Sequence, residues 1–180
     1  MKQSMVFLLT GFQFVSACSS PTHSSVEAIQ QIQELAGFPA SKFTYIEMTT
    51  MINSPHGDLK VECYQDEEGR KFYVEPANNI VVEMDARDLL GVGRSGGELG
   101  DQVLPQAELE GRAEEFVRAV IPEFSSLQGD LEYDVGGKVD NFFFTWRLAT
   151  NQVYFMPPFI QVGMTNRGEM FAYYNTISIP

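Results

Sequence analysis

Two stretches of the chain carry apolar residues at intervals of three and four, and this spacing predicts amphipathic helices over residues 26–36 and 105–121. The apolar positions are Ala28, Ile32, Leu35 and Ala36 in the first stretch and Ala113, Phe116, Val117, Val120 and Ile121 in the second. Gly37 follows the first stretch and Pro122 the second, and both residue types commonly end helices. Each predicted helix therefore has one apolar side that must be buried against another element.

The segments after each helix alternate between apolar and polar positions, which predicts half-buried β-strands. In one of them Leu59, Val61 and Cys63 share a face, while the residues between them are polar. The predicted strands cover residues 43–51, 59–64, 71–75 and 80–85 after the first helix, and 130–135, 141–148, 152–156, 159–164 and 170–175 after the second. Turn-forming residues at 66–69 and 165–168 predict hairpins, so we expect antiparallel pairing.

The order of a helix and then strands occurs twice, with corresponding elements offset by roughly 80–90 residues, as in a diverged internal repeat. A helix followed by an antiparallel sheet buries its apolar side on one sheet face, so the predicted fold class is α+β. We expect two tandem helix-plus-antiparallel-sheet units, residues 26–85 and 104–180. The acidic, glycine-rich residues 86–103 between them are expected to form a flexible linker.

The first residues have the pattern of a secretory signal. Lys2 is the only charge before an apolar run over residues 5–15, which is too short to cross the roughly 30 Å hydrocarbon core of a bilayer as a helix. The run ends in Val-Ser-Ala-Cys at residues 15–18, and this sequence resembles the lipobox of bacterial lipoproteins. The resemblance implies removal of residues 1–17, acylation of Cys18, and a lipidated tether over residues 18–25. We therefore expect an extracytoplasmic protein of the cell envelope, anchored to the membrane by its N-terminal lipid.

The composition excludes several classes of function. The 180 residues include 12 Lys and Arg against 24 Asp and Glu, which gives a formal net charge of −12 at pH 7. So acidic a chain lacks the cations that bind nucleic acid or anionic lipid surfaces.

With Cys18 acylated, Cys63 has no partner for an intramolecular disulfide, and we interpret it as a small buried hydrophobic residue. Two histidines are too few for a histidine-rich metal site, and we expect neither a metal nor a cofactor.

Two overlapping glycine motifs suggest chemistry, but their context does not fit it. Residues 91–96 match G-x-G-x-x-G, yet the strand–helix unit of a dinucleotide-binding fold is not predicted around them. Residues 93–97 match G-x-S-x-G around Ser95, but His23 and His56 both lie upstream, unlike the histidine of α/β-hydrolases. We interpret both motifs as parts of the linker.

Residues 130–134 place three carboxylates at alternate positions, hence on one face of a strand. Calcium binds such oxygens, but an EF-hand loop has Gly at its sixth position and Glu at its twelfth, where this chain has Val135 and Asn141. We interpret the carboxylates as a solvated strand face.

The strand over residues 141–148 is aromatic on both faces. The alternation predicts that one set of side chains faces the helix, namely Phe142, Phe144, Trp146 and Leu148. The opposite face is expected to hold the candidate binding residues Phe143, Arg147, Phe159, Phe171 and Tyr173. This set is too apolar for a sheet surface left in water, so either the two units pack these faces together or a partner peptide covers them. We favour internal packing, because apolar residues usually cover one another before they bind ligands.

The second unit has a distinctive order of motifs. After its amphipathic helix come Phe-Phe-Phe-Thr-Trp-Arg at 142–147, Ile-Gln-Val-Gly-Met at 160–164 and Gly-Glu-Met-Phe-Ala-Tyr-Tyr at 168–174. This order, over residues 104–176, resembles the PepSY-like domains, especially the YcdB/YcdC type of bacterial secreted and surface proteins. The first unit shares the order of elements but lacks the Gly-Glu pair.

The resemblance implies a module that binds or regulates an extracytoplasmic protein or peptide, such as a peptidase or a cell-wall hydrolase, and it supplies no catalytic positions. We therefore expect a non-catalytic envelope lipoprotein rather than an enzyme. Two alternatives stay open. One is a lipoprotein that binds a small ligand in a cavity between helix and sheet, and the other is a small extracytoplasmic serine hydrolase that uses Ser95 and His56.

Overall fold

The computed structural model describes residues 23–54, 57–90, 103–138, 140–149 and 157–178. Its helices are α1 (His23–Leu35), α2 (Gln106–Val120) and the short α3 (Phe124–Leu127), which is followed by a 3-10 turn at Gln128–Asp130. The two amphipathic helices that the apolar spacing predicts are therefore present as α1 and α2. Glu108 with Arg112, and Glu114 with Arg118, form ion pairs one turn apart on the exposed side of α2.

Within the described residues, eight strands form one antiparallel sheet. In chain order they are β1 (Phe43–Ser54), β2 (Gly57–Asp66), β3 (Lys71–Glu75), β4 (Ile80–Asp85), β5 (Leu131–Lys138), β6 (Asn141–Leu148), β7 (Phe159–Thr165) and β8 (Met170–Asn175). Their order in the sheet is β1-β2-β3-β4-β8-β7-β6-β5. The predicted α+β class is confirmed, and the strand predicted at residues 152–156 lies outside the described residues.

The strands that follow α1 and those that follow α2 join through the pair β4 and β8. Met84 pairs with Tyr173 at this junction, and Glu83 pairs with Tyr174. The expectation that two separate sheets pack their faces together is wrong, because strands joined edge to edge present their faces on the two sides of a single sheet. Both α1 and α2 contact the same side of that sheet.

The apolar sides of α1 and α2 cover one sheet face and form the core with it. Ile29 and Ile32 of α1 and Leu109 of α2 are buried in one continuous cluster with the sheet residues. Phe116 of α2 packs edge-on against Tyr173 of β8, with ring centroids 5.3 Å apart. Burial of a large apolar side chain stabilises the fold by about 1.5–3 kcal/mol relative to leaving it in water. The helix side of the sheet is therefore the main source of stability.

A buried polar group connects the start of α1 to the sheet. The Tyr64 hydroxyl donates to Glu62 Oε2 over 2.7 Å, and Ser25 Oγ of α1 donates to the same oxygen over 3.2 Å. All three side chains are buried. Because a buried carboxylate needs hydrogen-bond donors, the Ser25 hydroxyl helps to fix the position of α1 on β2.

Candidate functional site

The sheet face opposite α1 and α2 is the candidate functional site, and we call it the helix-free face because no helix of the described residues packs on it. Strand pairing aligns one residue from each strand into a row that crosses the whole of this face. We call this row the central ladder, and from β1 to β5 it consists of Glu47, Cys63, Tyr73, Glu83, Tyr174, Gln161, Thr145 and Asp134. Every position of the ladder carries a polar or ionisable group, in contrast to the apolar core on the other face.

Neighbouring members of the central ladder are polar groups on adjacent strands. Strand pairing places Tyr73 beside Cys63 and Tyr174 beside Glu83. Further along, Gln161 Nε2 donates to Thr145 Oγ1 over 2.9 Å. Thr145 and Cys63 are almost fully buried, whereas Tyr73, Glu83 and Tyr174 are partly exposed. The middle of the ladder therefore has partly exposed hydrogen-bond donors and acceptors.

Burial and neighbouring charges set the ionisation of this cluster. Burial, and then the charge of Asp85, raise the pKa of Glu83 above its ordinary value. At Asp85 burial also acts to raise the pKa, but hydrogen bonds and the positive charge from Arg87 outweigh it, so the pKa of Asp85 is lowered. Arg87 Nε donates to Asp85 Oδ1 over 2.9 Å. Asp85, which is paired with Arg87, is therefore an ionised carboxylate beside Glu83, whose carboxyl group ionises less readily.

The tyrosines and the cysteine of the ladder are neutral at physiological pH. Burial raises the pKa of Tyr73 to about 12, with the charges of Cys63 and Glu83 adding to the effect. Burial and the Glu83 charge also raise the pKa of Tyr174 to about 12. Burial is the main cause that raises the pKa of the Cys63 thiol, which therefore stays protonated and weakly nucleophilic. These three groups are therefore neutral hydrogen-bonding groups at neutral pH.

Three of the predicted binding residues lie on the helix-free face beside the ladder. Phe143, Phe159 and Arg147 are all partly exposed there, and 43% of the Arg147 side chain is accessible. Arg147 Nη1 lies 3.6 Å from Asp134 Oδ2 of the neighbouring strand β5. The Phe159 ring lies 6.3 Å from the ring of Tyr174, which connects this aromatic group to the central ladder. Their role in binding stays a prediction.

Phe171 lies on the helix-free face but is fully buried. Its ring packs edge-on against Phe143, with centroids 5.2 Å apart. It also covers Gly163 of β7, where an added Cβ would come within 2.5 Å of the Phe171 ring. The absence of a side chain at Gly163 therefore makes room for Phe171.

The placement of Tyr173 on the helix-free face is wrong. Tyr173 is fully buried on the opposite, helix side of the sheet, against Phe116. The reason is a β-bulge in the pairing of β7 with β8: Met164 pairs with Met170 and Gly163 with Ala172, which leaves Phe171 as the extra residue. Strict alternation puts residues 171 and 173 on one face, and the bulge interrupts that alternation between them.

The residues at the middle of the ladder were not singled out from the sequence. Glu83 and Asp85 alternate with the apolar Met84 on β4, so their common face was predictable from the period of two. Their neighbours Tyr174 and Tyr73 were not, because only the strand order and register bring these side chains together.

Several other predicted residues cannot be compared with the structure. Cys18, His56, Ser95 and the glycine motifs of residues 91–97 lie outside the described residues. The side chains of Glu132 and Asp134 are exposed on β5, and no group of three or more potential metal ligands occurs among the described residues.

Comparison with known proteins adds no identification. No protein family, no curated protein and no solved structure matches the chain. In the part of the chain that the structure describes, none of the helices has the length and apolar character needed to cross a bilayer. The resemblance to PepSY-like domains therefore stays a prediction.

Proposed function

We propose that this protein is a non-catalytic, lipid-anchored module of the bacterial cell envelope whose helix-free face binds an extracytoplasmic protein or peptide. The observation that carries the proposal is the asymmetry of the sheet. The described helices bury one face, while the other presents partly exposed aromatic and charged side chains, among them Phe143, Arg147, Phe159 and Tyr174. Aromatic residues and arginine are the types most enriched where proteins bind one another.

The order of elements supports two tandem PepSY-like units, residues 26–85 and 104–180. α1 precedes β1–β4, α2 precedes β5–β8, and in each group consecutive strands are paired. The last strand of each group lies at the centre of the sheet and the first lies at an edge. This symmetry about the β4–β8 pair is the arrangement expected when a duplicated unit joins to its copy through equivalent strands.

The charges on the helix-free face favour a partner with a basic contact surface. Among the described residues, the acidic ones on or beside this face include Glu47, Glu83, Asp85, Glu132 and Asp134, and the basic ones include Lys71, Arg87 and Arg147. The whole chain carries a formal net charge of −12. Opposite charges on two surfaces accelerate their encounter and disfavour wrong partners. We propose that an extracytoplasmic peptidase or cell-wall hydrolase supplies such a surface.

Site-specific photo-crosslinking in the source bacterium tests the proposed face. A photoreactive phenylalanine analogue replaces Phe159 in the full chain, and in a matched variant it replaces Arg112, which is exposed on α2 on the other side of the sheet. We expect an envelope peptidase or wall hydrolase to be crosslinked from position 159 and not from position 112.

Arg147→Ala should then reduce the yield of that crosslink, because the loss of arginine contacts at the interface outweighs the loss of one like charge. Arg112→Ala should leave the yield unchanged. These two arginines are a matched pair, because their side chains are similarly exposed and each forms one ion pair. Equal crosslinking from both positions, or no crosslinked partner from a chain with native circular dichroism, would contradict the proposed binding face.

A further inference from the structure

A cleft of about 250 Å³ opens between α2 and the outer strands β5 and β6, on the helix side of the sheet. Its lining residues are Glu110, Glu114, Gln128, Leu131, Tyr133 and Trp146. The cleft belongs to the opposite side of the sheet from the helix-free face, so it is separate from the binding face proposed above. Its volume suits a small molecule or the end of one long side chain.

Two aromatic rings form the base and one wall of this cleft. Tyr133 and Trp146 are paired across β5 and β6, and their ring centroids lie 5.4 Å apart. Trp146 is held in place from below by Phe124, whose ring meets it edge-on at 5.6 Å. Tyr133 is 41% exposed, so part of its side chain is accessible to a ligand. An aromatic face attracts cations.

Two carboxylates one helical turn apart form the facing wall, and they differ in their partners. Glu114 Oε1 accepts hydrogen bonds from Arg118 at 2.6 Å and from Gln128 Nε2 at 3.1 Å, so its charge is compensated. Glu110 lies close enough to Tyr133 for its charge to raise the pKa of the Tyr133 hydroxyl, and it has no ion pair with any described residue. The cleft therefore combines one uncompensated carboxylate with an accessible aromatic ring.

The surroundings of Tyr133 support a negative potential in the cleft. Burial raises the pKa of Tyr133, and the charges of Glu110, Glu114 and Asp134 raise it further. The hydroxyl consequently stays protonated and neutral at physiological pH. A cation that enters the cleft could pair with Glu110 without breaking an ion pair between described residues.

We propose that this cleft binds an organic ammonium group, with its charge next to Glu110 and its alkyl surface against Tyr133 and Trp146. A quaternary or alkyl ammonium combines a diffuse positive charge with apolar surface, and so matches a carboxylate beside aromatic rings. A small, strongly hydrated metal ion matches the cleft less well, because it requires several oxygen ligands and Glu114 is already engaged by Arg118 and Gln128. The group can belong to a free small molecule or to a lysine side chain of a polypeptide.

Trp146 is the only tryptophan of the chain and lines this cleft, so its fluorescence reports a ligand that binds there. The full chain is titrated at constant ionic strength with choline, and separately with 3,3-dimethyl-1-butanol, which has the same shape without the charge. We expect a saturable change in Trp146 fluorescence with choline and none with the neutral analogue. The absence of a saturable change, or an equal change with the neutral analogue, would overturn the proposal.

Variants of α2 test the part that Glu110 plays. Glu110→Gln should weaken choline binding by about tenfold, the effect of losing one charge-assisted contact of about 1.4 kcal/mol. Glu115→Gln is the matched control, because Glu115 is exposed on the same helix and does not line the cleft. Unchanged affinity in Glu110→Gln would contradict the assignment of the charge.

A second titration separates the two sources of the ammonium group. Tighter binding of acetyl-Gly-Lys-Gly-amide than of choline assigns the cleft to a lysine side chain of a polypeptide, and the reverse order assigns it to a free quaternary ammonium compound. Both orders support the shared chemistry. The crosslinking experiment at Phe159 concerns the other side of the sheet, so its failure and the failure of this proposal are distinguishable.

Discussion

The Tyr173 side chain is enclosed between α2 and the sheet, and its hydroxyl has no hydrogen bond of good geometry. Asn175 lies nearby, but its amide is committed to Ser178, with Nδ2 3.0 Å from Ser178 Oγ. An unpaired buried hydroxyl costs about 1–3 kcal/mol. We therefore expect Tyr173→Phe to raise the free energy of unfolding by about 1 kcal/mol, as measured by urea denaturation.

Tyr64→Phe is the matched control at the residue scale. Tyr64 is equally buried, but its hydroxyl donates to the buried carboxylate of Glu62 over 2.7 Å. Its removal leaves Glu62 with fewer donors and should lower the free energy of unfolding by about 1–3 kcal/mol. If Tyr173→Phe destabilises the protein as much as Tyr64→Phe does, the Tyr173 hydroxyl has a partner after all.

Glu83 and Asp85 should affect the pH dependence of stability with opposite signs. Burial and the Asp85 charge raise the pKa of Glu83 in the folded state, so the ionised form of Glu83 disfavours folding above that pKa. Glu83→Gln should therefore stabilise the protein at neutral pH, and this gain should disappear as the pH falls below the ordinary glutamate value of 4.5. Denaturation curves measured at pH values from about 4 to about 8, which cover the titration of a glutamate with a raised pKa, test this.

Asp85 provides the comparison, because Arg87 outweighs burial there and lowers the pKa of Asp85. The ionised form of Asp85 thus contributes stability above its unfolded pKa, and this contribution is lost as the pH falls through the folded pKa. Asp85→Asn should destabilise the protein at neutral pH, with a difference that shrinks in acid. Equal signs for Glu83→Gln and Asp85→Asn at neutral pH would contradict the described electrostatics of the ladder.

At the scale of elements, the bulge in β8 determines what the helix-free face presents. Phe171 occupies the space above Gly163, where an added Cβ would lie 2.5 Å from its ring. We expect Gly163→Ala to destabilise the protein by about 1–3 kcal/mol, the usual effect of overpacking a filled site, as measured by thermal or urea unfolding. Gly136→Ala on β5 is the control, because a Cβ there meets nothing within 4 Å. A loss of stability that is equal in both variants would point to a general effect of strand glycines instead.

Local sequence patterns predict the helices and strands of this fold but not how distant strands pair. Helical spacing and alternation predict α1, α2 and the described strands, because each pattern is local and each element buries one side. Pairing between distant strands leaves no local pattern, so neither the β4–β8 junction nor the contact of Glu83 with Tyr174 could be predicted. Tyr173 was assigned to the wrong face because a bulge changes the alternation without changing the composition of the strand.

At the scale of the whole molecule, the position of α1 limits how far the sheet can lie from a membrane anchor. α1 begins at His23, five residues after the proposed lipidation site Cys18. A fully extended chain of that length spans at most about 18 Å. If Cys18 carries the lipid, the described domain is held next to the bilayer surface. Its partner must then be accessible close to that surface, as an enzyme acting at the envelope would be.

The chain has two cysteines, which makes the anchor directly testable. We expect cells that produce the full chain to incorporate radiolabelled palmitate into it and to retain it in the membrane fraction. Cys18→Ser should abolish both, because the acylated thiol is lost and a single residue carries all of the lipid. Cys63→Ser should keep both, because Cys63 is buried in β2 and beyond the reach of an acylating enzyme. Palmitate incorporation that survives in Cys18→Ser, or that is missing from the unaltered chain, would contradict the proposed lipid anchor. It would not contradict the proposed binding by the helix-free face, which the crosslinking experiment tests separately.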